Sequence, residues 1–319
     1  MRRSLIALAL VFATLPALAA DFPDRPVRIT VPVTPAGILD QVSRIISPVL
    51  GTNLGQTVIV ENRPGASGNI AATYVARSKP DGYSLLAGYS MFHVGNPVMY
   101  RNLDWDPLKD FKPVAMLVVS PHLIAVNPKV PIHSLQELVD YAKKNPNVLN
   151  YATSGNGSVP HIGMELFKQR AAIELTHVAY KGAGPAVQDV LAGNVQMTVA
   201  TPPSVAGFVP TGQVRALAVA SKTRLPLLPD VPTTAEAGFP DFELDAWVAL
   251  FAPAGTPDSV VATLTEAVKE TMDTERVQQS LAAAGVQVRY MTPEQLDQQV
   301  RKDIDYWQPV IRKAGITID

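Results

Sequence analysis

The chain has 319 residues, with 27 basic and 28 acidic side chains and no cysteine. The lack of cysteine excludes disulfides, a lipid-modified N-terminal cysteine and thiol catalysis. The near-balanced charge gives no basis for a nucleic-acid or membrane-surface partner. The first twenty residues read as a secretory leader: Arg2 and Arg3 are positive, Ser4 to Leu15 is apolar, and Ala17-Leu18-Ala19 is a small-x-small cleavage signal. An N-terminal anchor is the alternative, but the apolar run falls short of the ~20 residues that span a bilayer. Cleavage near Ala19 or Ala20 leaves about 300 residues, enough for two domains, and a net charge of about −3, since the leader carries two bases and no acid. No later segment is apolar for long enough to cross a membrane, so a soluble exported protein is expected.

Beyond the leader the pattern is strand, glycine-rich turn, helix, repeated. Val27 to Val33 reads as a strand, Thr34-Pro35-Ala36-Gly37 as its turn, and a helix is expected from about Asp40, with Pro48 kinking or ending it. Thr57 to Glu61 is the next strand, Arg63 to Gly68 its turn, and Asn69 to Arg77 a short helix. Lys79-Pro80-Asp81-Gly82 precedes a strand over Tyr83 to Gly88. Val114 to Asn127 is a long apolar segment, interrupted at Ser120-Pro121-His122, suited to crossing between domains. Ser134 and Glu137 have capping-box spacing for a helix to about Lys144.

A strand over Leu149 to Thr153 leads into Ser154-Gly155-Asn156-Gly157-Ser158 and a helix to about Ala171. The strand Glu174 to Tyr180 leads into Lys181-Gly182-Ala183-Gly184, with Pro185 suited to a first helical turn. Val195 to Ala200, Val214 to Ala220 and Ala246 to Phe251 read as strands. Thr256-Pro257 and Thr292-Pro293 read as N-cap plus first helical residue, and Pro309 marks a kink in an amphipathic last helix. The alternation predicts α/β lobes with mostly parallel sheets, whose ligand site lies beyond the carboxyl ends of the strands.

The glycine-rich turns fall at those ends and precede helix starts. Free N–H groups and the positive end of the helix dipole there suit a carboxylate, with Ser67, Ser154 and Ser158 as extra donors. Each turn taken alone is equally served by turn geometry. No phosphate loop, dinucleotide fingerprint or metal-ligand spacing occurs. Gly88 to Phe92 starts like a nucleophile elbow but lacks its second glycine. Ser158 and His161 are spaced for a Ser-His pair, which leaves a secreted hydrolase as the alternative function. His93, His122, His133 and His177 read as solvated or structural, and Trp105, Trp247 and Trp307 as packing residues.

Several stretches together resemble the Bug family, the substrate-binding proteins of tripartite tricarboxylate transporters. They are Phe22 to Arg28, Val31 to Asp40, Val60-Glu61-Asn62-Arg63-Pro64-Gly65-Ala66, Lys79 to Leu86, Ser154 to His161, Tyr180-Lys181-Gly182, Leu228 to Thr233 and Ala252 to Pro257. The resemblance implies a two-lobed type II periplasmic-binding-protein (Venus flytrap) fold. Lobe 1 would be residues 21–121 plus 221–319 and lobe 2 residues 122–220. It implies a periplasmic monomer that closes on a small carboxylate and passes it to a membrane permease or a sensor, with no catalysis, cofactor or metal.

The candidate ligand-binding residues on lobe 1 are Thr34, Pro35, Ala36, Gly37 and Asp40, then Gly65, Ala66 and Ser67, and Ser90. On lobe 2 they are Thr153, Ser154, Ser158, His161 and Thr201. Asp40 is also expected to cap the first helix. Two departures from the family pattern stand out: Ala36-Gly37 where two glycines are usual, and Val33 where Phe is common. With Ile38 and Leu39 beside them, they suggest a ligand with an apolar body.

Overall fold

The structure, a computed structural model, describes residues 22–35 and 37–318. The leader and Ala36 lie outside the described residues. In the first part of the chain are β1 (Val27–Val31), α1 (Ile38–Leu54), β2 (Val58–Asn62), α2 (Asn69–Ala76), β3 (Ser84–Tyr89), α3 (Ser90–Met99) and β4 (Phe111–Pro121). Next come β5 (Leu123–Val126), α4 (Leu135–Lys144), β6 (Asn150–Thr153), α5 (Val159–Ala171), β7 (Thr176–Ala179), α6 (Ala183–Ala192), β8 (Met197–Ala200), α7 (Pro202–Val205) and β9 (Arg215–Val219). The last part holds β10 (Asp245–Pro253), α8 (Asp258–Asp273), α9 (Glu275–Ala283), β11 (Gln287–Met291) and α10 (Pro293–Lys313).

The strands form two sheets, ordered β11-β4-β10-β3-β1-β2 and β7-β6-β8-β5-β9. Both are mixed rather than mostly parallel. β1 is parallel to β2 and β3, and β6 is parallel to β7 and β8. The strands that carry the chain between the sheets run against their neighbours: β10 is antiparallel to β3 and β4, and β5 to β8 and β9. An α/β sheet that is entered and left by crossing strands must accept these reversed pairings.

The outward crossing falls where the apolar run is interrupted. β4 ends at Pro121 in one sheet and β5 begins at Leu123 in the other. The chain leaves the second sheet after β9, which ends at Val219, and enters the first at Asp245 of β10. Residues 221–244 contribute Leu225, Leu228, Val231, Phe242 and Leu244 to the cores of the second sheet, which keeps this segment on that side. The crossings lie together: Pro121 pairs with Asp245, the His122 N–H donates to the Leu244 carbonyl, and the Leu244 N–H donates to the Ala220 carbonyl.

Each sheet buries both faces, which is why its strands are near-continuous apolar runs. The first packs α1, α8 and α9 on one face through Ile29, Ile46, Leu50 and Leu264, and α2 and α10 on the other through Leu86, Trp247 and Leu296. The second buries Tyr151, Phe167 and Leu138.

Of the two outcomes expected at Pro48, a kink or an end, the end does not occur. α1 runs through Pro48. Pro48 lacks the N–H that would bond the Arg44 carbonyl, and the Ser47 hydroxyl donates to that carbonyl instead, at 3.4 Å. The buried stripe Val42, Ile46 and Leu50 holds the axis. α10 likewise continues through Pro309 to Lys313. The cap of α4 is also modified. Ser134 Oγ accepts from Glu137 N–H, but the Glu137 carboxylate takes the His133 N–H rather than that of Ser134. Thr256 does not cap α8: Pro257 holds that place, and the Thr256 hydroxyl donates to the Pro253 carbonyl. Thr292 and Gln295 form the full capping box of α10.

Candidate functional site

The carboxyl ends of the strands in both sheets open onto one cavity of about 410 Å³. The first sheet supplies Val33, Thr34 and Gly37 after β1, then Ile38, Leu39 and Gln41 from the first turns of α1. It adds Ser67 from the turn before α2, and Tyr89 and Phe92 where β3 runs into α3. Across from them stand Ser154 and Asn156 to Pro160 between β6 and α5, Gly182 and Ala183 at the start of α6, and Val199 to Thr201 at the end of β8. His122 forms the floor at the crossing.

Four helices of ten or more residues therefore begin at the cavity: α1, α3, α5 and α6. Their N-cap residues Gly37, Tyr89, Ser158 and Gly182 make no side-chain cap bond. First-turn N–H groups have no partner within the helix, and the dipole gives them partial positive charge, so these ends favour an anion. Among the described lining residues there is no lysine or arginine. His122 is neutral in the ligand-free cavity. Its Nδ1 lies 3.0 Å from the Leu244 carbonyl, and burial lowers its pKa to about 4. The cavity thus offers neutral hydrogen-bond donors at helix ends and an apolar wall of Val33, Ile38, Leu39, Phe92, Val159 and Val199.

The candidate residues divide by position. Thr34, Gly37, Ser67, Ser154, Ser158 and Thr201 line the cavity. Pro35 is exposed beside it, and Ala36 lies outside the described residues. Gly65 and Ala66 sit in the same turn as Ser67, with Ala66 on a separate groove beside α2. Ser90 is buried at the first position of α3.

Asp40 does not cap α1; Gly37 does. The Asp40 carboxylate is buried and turned inward. It accepts from Arg44 Nε at 2.9 and 3.0 Å and from Asn62 Nδ2 at 2.9 Å. Thr153 and His161 also stand behind the lining. Thr153 Oγ1 lies 2.6 Å from His177 Nε2 and accepts the Gly155 N–H at 3.3 Å. His161 Nδ1 accepts the Gly157 N–H at 3.1 Å. Ser158 Oγ donates to the Gly155 carbonyl at 2.7 Å.

Lining residues that sequence reasoning did not name as candidates include Gln41, Tyr89, Phe92, His122, Asn156 and Ser204. The Ser-Pro-His interruption was a usable signal for His122, since a crossing between α/β lobes lies at the ligand crevice. His177 was read as scattered, yet its ring stacks on that of His161 with centroids 3.8 Å apart and planes 9° apart. Trp105 and Trp247 are buried, with Nε1 donating to Asn69 and Asp303 respectively. Among the described residues no cluster of side chains is arranged to hold a metal, and no helix is long and apolar enough to cross a membrane.

Residues 42–316 match the tripartite tricarboxylate transporter family receptor. Protein BugT of Bordetella pertussis is 34% identical over 321 residues, covering 99% of this chain and 98% of that one. Among solved structures, R. palustris Rpa4515 with adipate superposes with a TM-score of 0.85 at 36% identity, over 93% of this chain and 99% of that one. MatC from Rhodopseudomonas palustris with bound malate gives a TM-score of 0.80 at 36% identity, over 91% and 100%.

Proposed function

The chain belongs to the tripartite tricarboxylate transporter receptor family, and from that premise we propose that its cavity captures a small carboxylate with an apolar body. The observation that carries this reading is the pairing of four uncapped helix N-termini with a lining free, among the described residues, of lysine and arginine. Helix ends and hydroxyls hold a carboxylate through charge-assisted hydrogen bonds without a counter-ion. The apolar wall suits methylenes or a ring more than further charged groups. Adipate in Rpa4515 and malate in MatC are both small carboxylates, and adipate also has a body of methylenes.

The two sheets with their helices act as two lobes, residues 22–121 with 245–318 and residues 122–244. The ligand first meets α1 and the Ser67 turn, and rotation about the paired crossings brings α5 and α6 onto it. The protein works in the periplasm as a monomer after its leader is removed, and the closed form is what the membrane permease recognises. Binding without turnover fits the two residues of the hydrolase alternative. The Ser158 hydroxyl donates to Gly155, and His161 Nδ1 accepts from Gly157, so neither is directed at the other.

The test is a thermal-shift panel on the leader-free protein, comparing aliphatic and aromatic mono- and diacids with their amides and with citrate. A ligand that binds only the folded state raises the melting temperature by mass action. A shift with an acid and none with its amide supports the reading. Tighter binding of citrate than of any mono- or diacid overturns the apolar-body assignment.

A further inference from the structure

Behind the loop that joins β6 to α5 lies a polar cluster that does not touch the cavity. The loop, residues 154–158, has two glycines with positive φ, Gly155 at 137° and Gly157 at 69°. Such a turn is defined by its ties to the surroundings. The Gly157 N–H donates to His161 Nδ1, and Thr153 at the loop's start is bonded to His177 Nε2. The two imidazoles stack face to face, so the anchors at both ends of the loop are joined to each other.

We propose that His161 is a positioning residue for ligand capture, acting through the Gly157 N–H and braced by His177, and that it does so only as a neutral ring. This deepens the carboxylate-binding reading and rests on it. A ring nitrogen can accept an N–H only if it carries no proton, so the required tautomer has its proton on Nε2. Protonating Nδ1 would set two N–H groups against each other and release Gly157. Asn156, Gly157 and Ser158 line the cavity, so the change would be felt where the ligand sits.

The charged and titratable groups facing the pair are Glu165 and Lys168 on α5 and Tyr151 on β6. Glu165 is engaged elsewhere: it accepts from the Tyr151 hydroxyl at 2.7 Å and from Lys168 Nζ at 2.9 Å. Burial lowers the pKa of both histidines to about 4. At neutral pH the loop is held in the receiving shape.

The test uses two variants and adipate as probe. His161→Asn keeps an acceptor oxygen near the Nδ1 position and does not titrate, whereas His161→Leu keeps bulk and loses the acceptor. Adipate affinity is measured from neutral pH down to about pH 3.5, past the midpoint of His161, and amide hydrogen exchange of residues 154–158 is measured without ligand. His161→Leu is expected to bind adipate about tenfold more weakly and to exchange faster, as for a lost hydrogen bond at a binding loop. His161→Asn should restore both at neutral pH and lose less affinity than wild type on acidification.

Equal losses in the two variants, or unchanged exchange in His161→Leu, overturn the proposal. If His161→Leu does not fold, the comparison of wild type with His161→Asn decides, and parallel loss with acid overturns it. If the wild type does not bind adipate, the choice of ligand fails, while the exchange measurement still settles the positioning role.

Discussion

Asn62 Nδ2 lies 2.9 Å from Asp40 Oδ1 and 3.0 Å from the Val33 carbonyl oxygen. One amide at the end of β2 therefore fastens both ends of the loop that carries Thr34 and Gly37 into the cavity. Asn62→Ala leaves a buried carboxylate and a carbonyl each short of a donor. The expected loss is about 1–3 kcal/mol of stability, read from urea unfolding, together with weaker ligand binding. A variant with wild-type stability and affinity would show that the loop holds its shape without this amide.

Gly157 touches the opposite lobe. A methyl group there would lie 2.6 Å from Met99 Sδ and 2.7 Å from Ile318 Cδ1, and the backbone has φ of 69°. Gly157→Ala combines left-handed strain with a clash across the closing surface. Adipate affinity measured by calorimetry should fall by roughly tenfold or more.

Leu244 is fully buried where the chain returns to the first sheet, against Gly163 of α5. Leu244→Ala removes packing at the crossing, and a loss of about 2–5 kcal/mol is expected from denaturant unfolding.

Stability should fall on acidification from pH 7. Burial lowers His93 to about 3 and His122, His161 and His177 to about 4, from an ordinary 6.5. Between about 6.5 and 4 the unfolded chain binds more protons on these groups than the folded one. Their stabilising contribution is present above pH 6.5 and is lost as the pH falls towards 4, at up to ~1.4 kcal/mol per group for each pH unit. Asp245 acts in the opposite sense. Its carboxyl is raised to about 6 by burial, so its contribution is present below 3.8 and lost as the pH rises through 6. Burial also raises the Asp303 carboxyl, and four imidazoles against these two carboxyls make the net slope positive. A melting temperature that rises as the pH is lowered from 7 to 5 would contradict this.

Local pattern carried much of this architecture. β1 and β2 are followed by glycine-bearing turns, and those turns reach the cavity, whereas β3 runs straight into α3. α3 was not legible because Gly95 and Pro97 argue against a helix. In the fold Gly95 leaves room for Met91 and Met99 of the same helix, since a methyl group there would lie 2.7 Å from Met91 Sδ and 2.9 Å from Met99 Cε. Asp40 has the local signature of a cap, but Asn62, 22 residues away, takes it for a tertiary tie. The stacking of His161 on His177 depends on β7 lying beside β6, which no local pattern encodes. Residues 221–244 contain no named helix or strand, so local pattern carries no signal there, and Phe242 and Leu244 tie them to the core by tertiary contacts alone.

The two crossings lie side by side, with Pro121 paired to Asp245. Twin adjacent tethers define a line, which reduces the relative motion of the sheets to essentially one rotational coordinate. A single inter-lobe distance then reports the whole opening angle. Because the chain has no cysteine, one introduced thiol on each sheet would carry a dye pair without background labelling. The receptor is thereby suited to conversion into an optical sensor for the acid it captures.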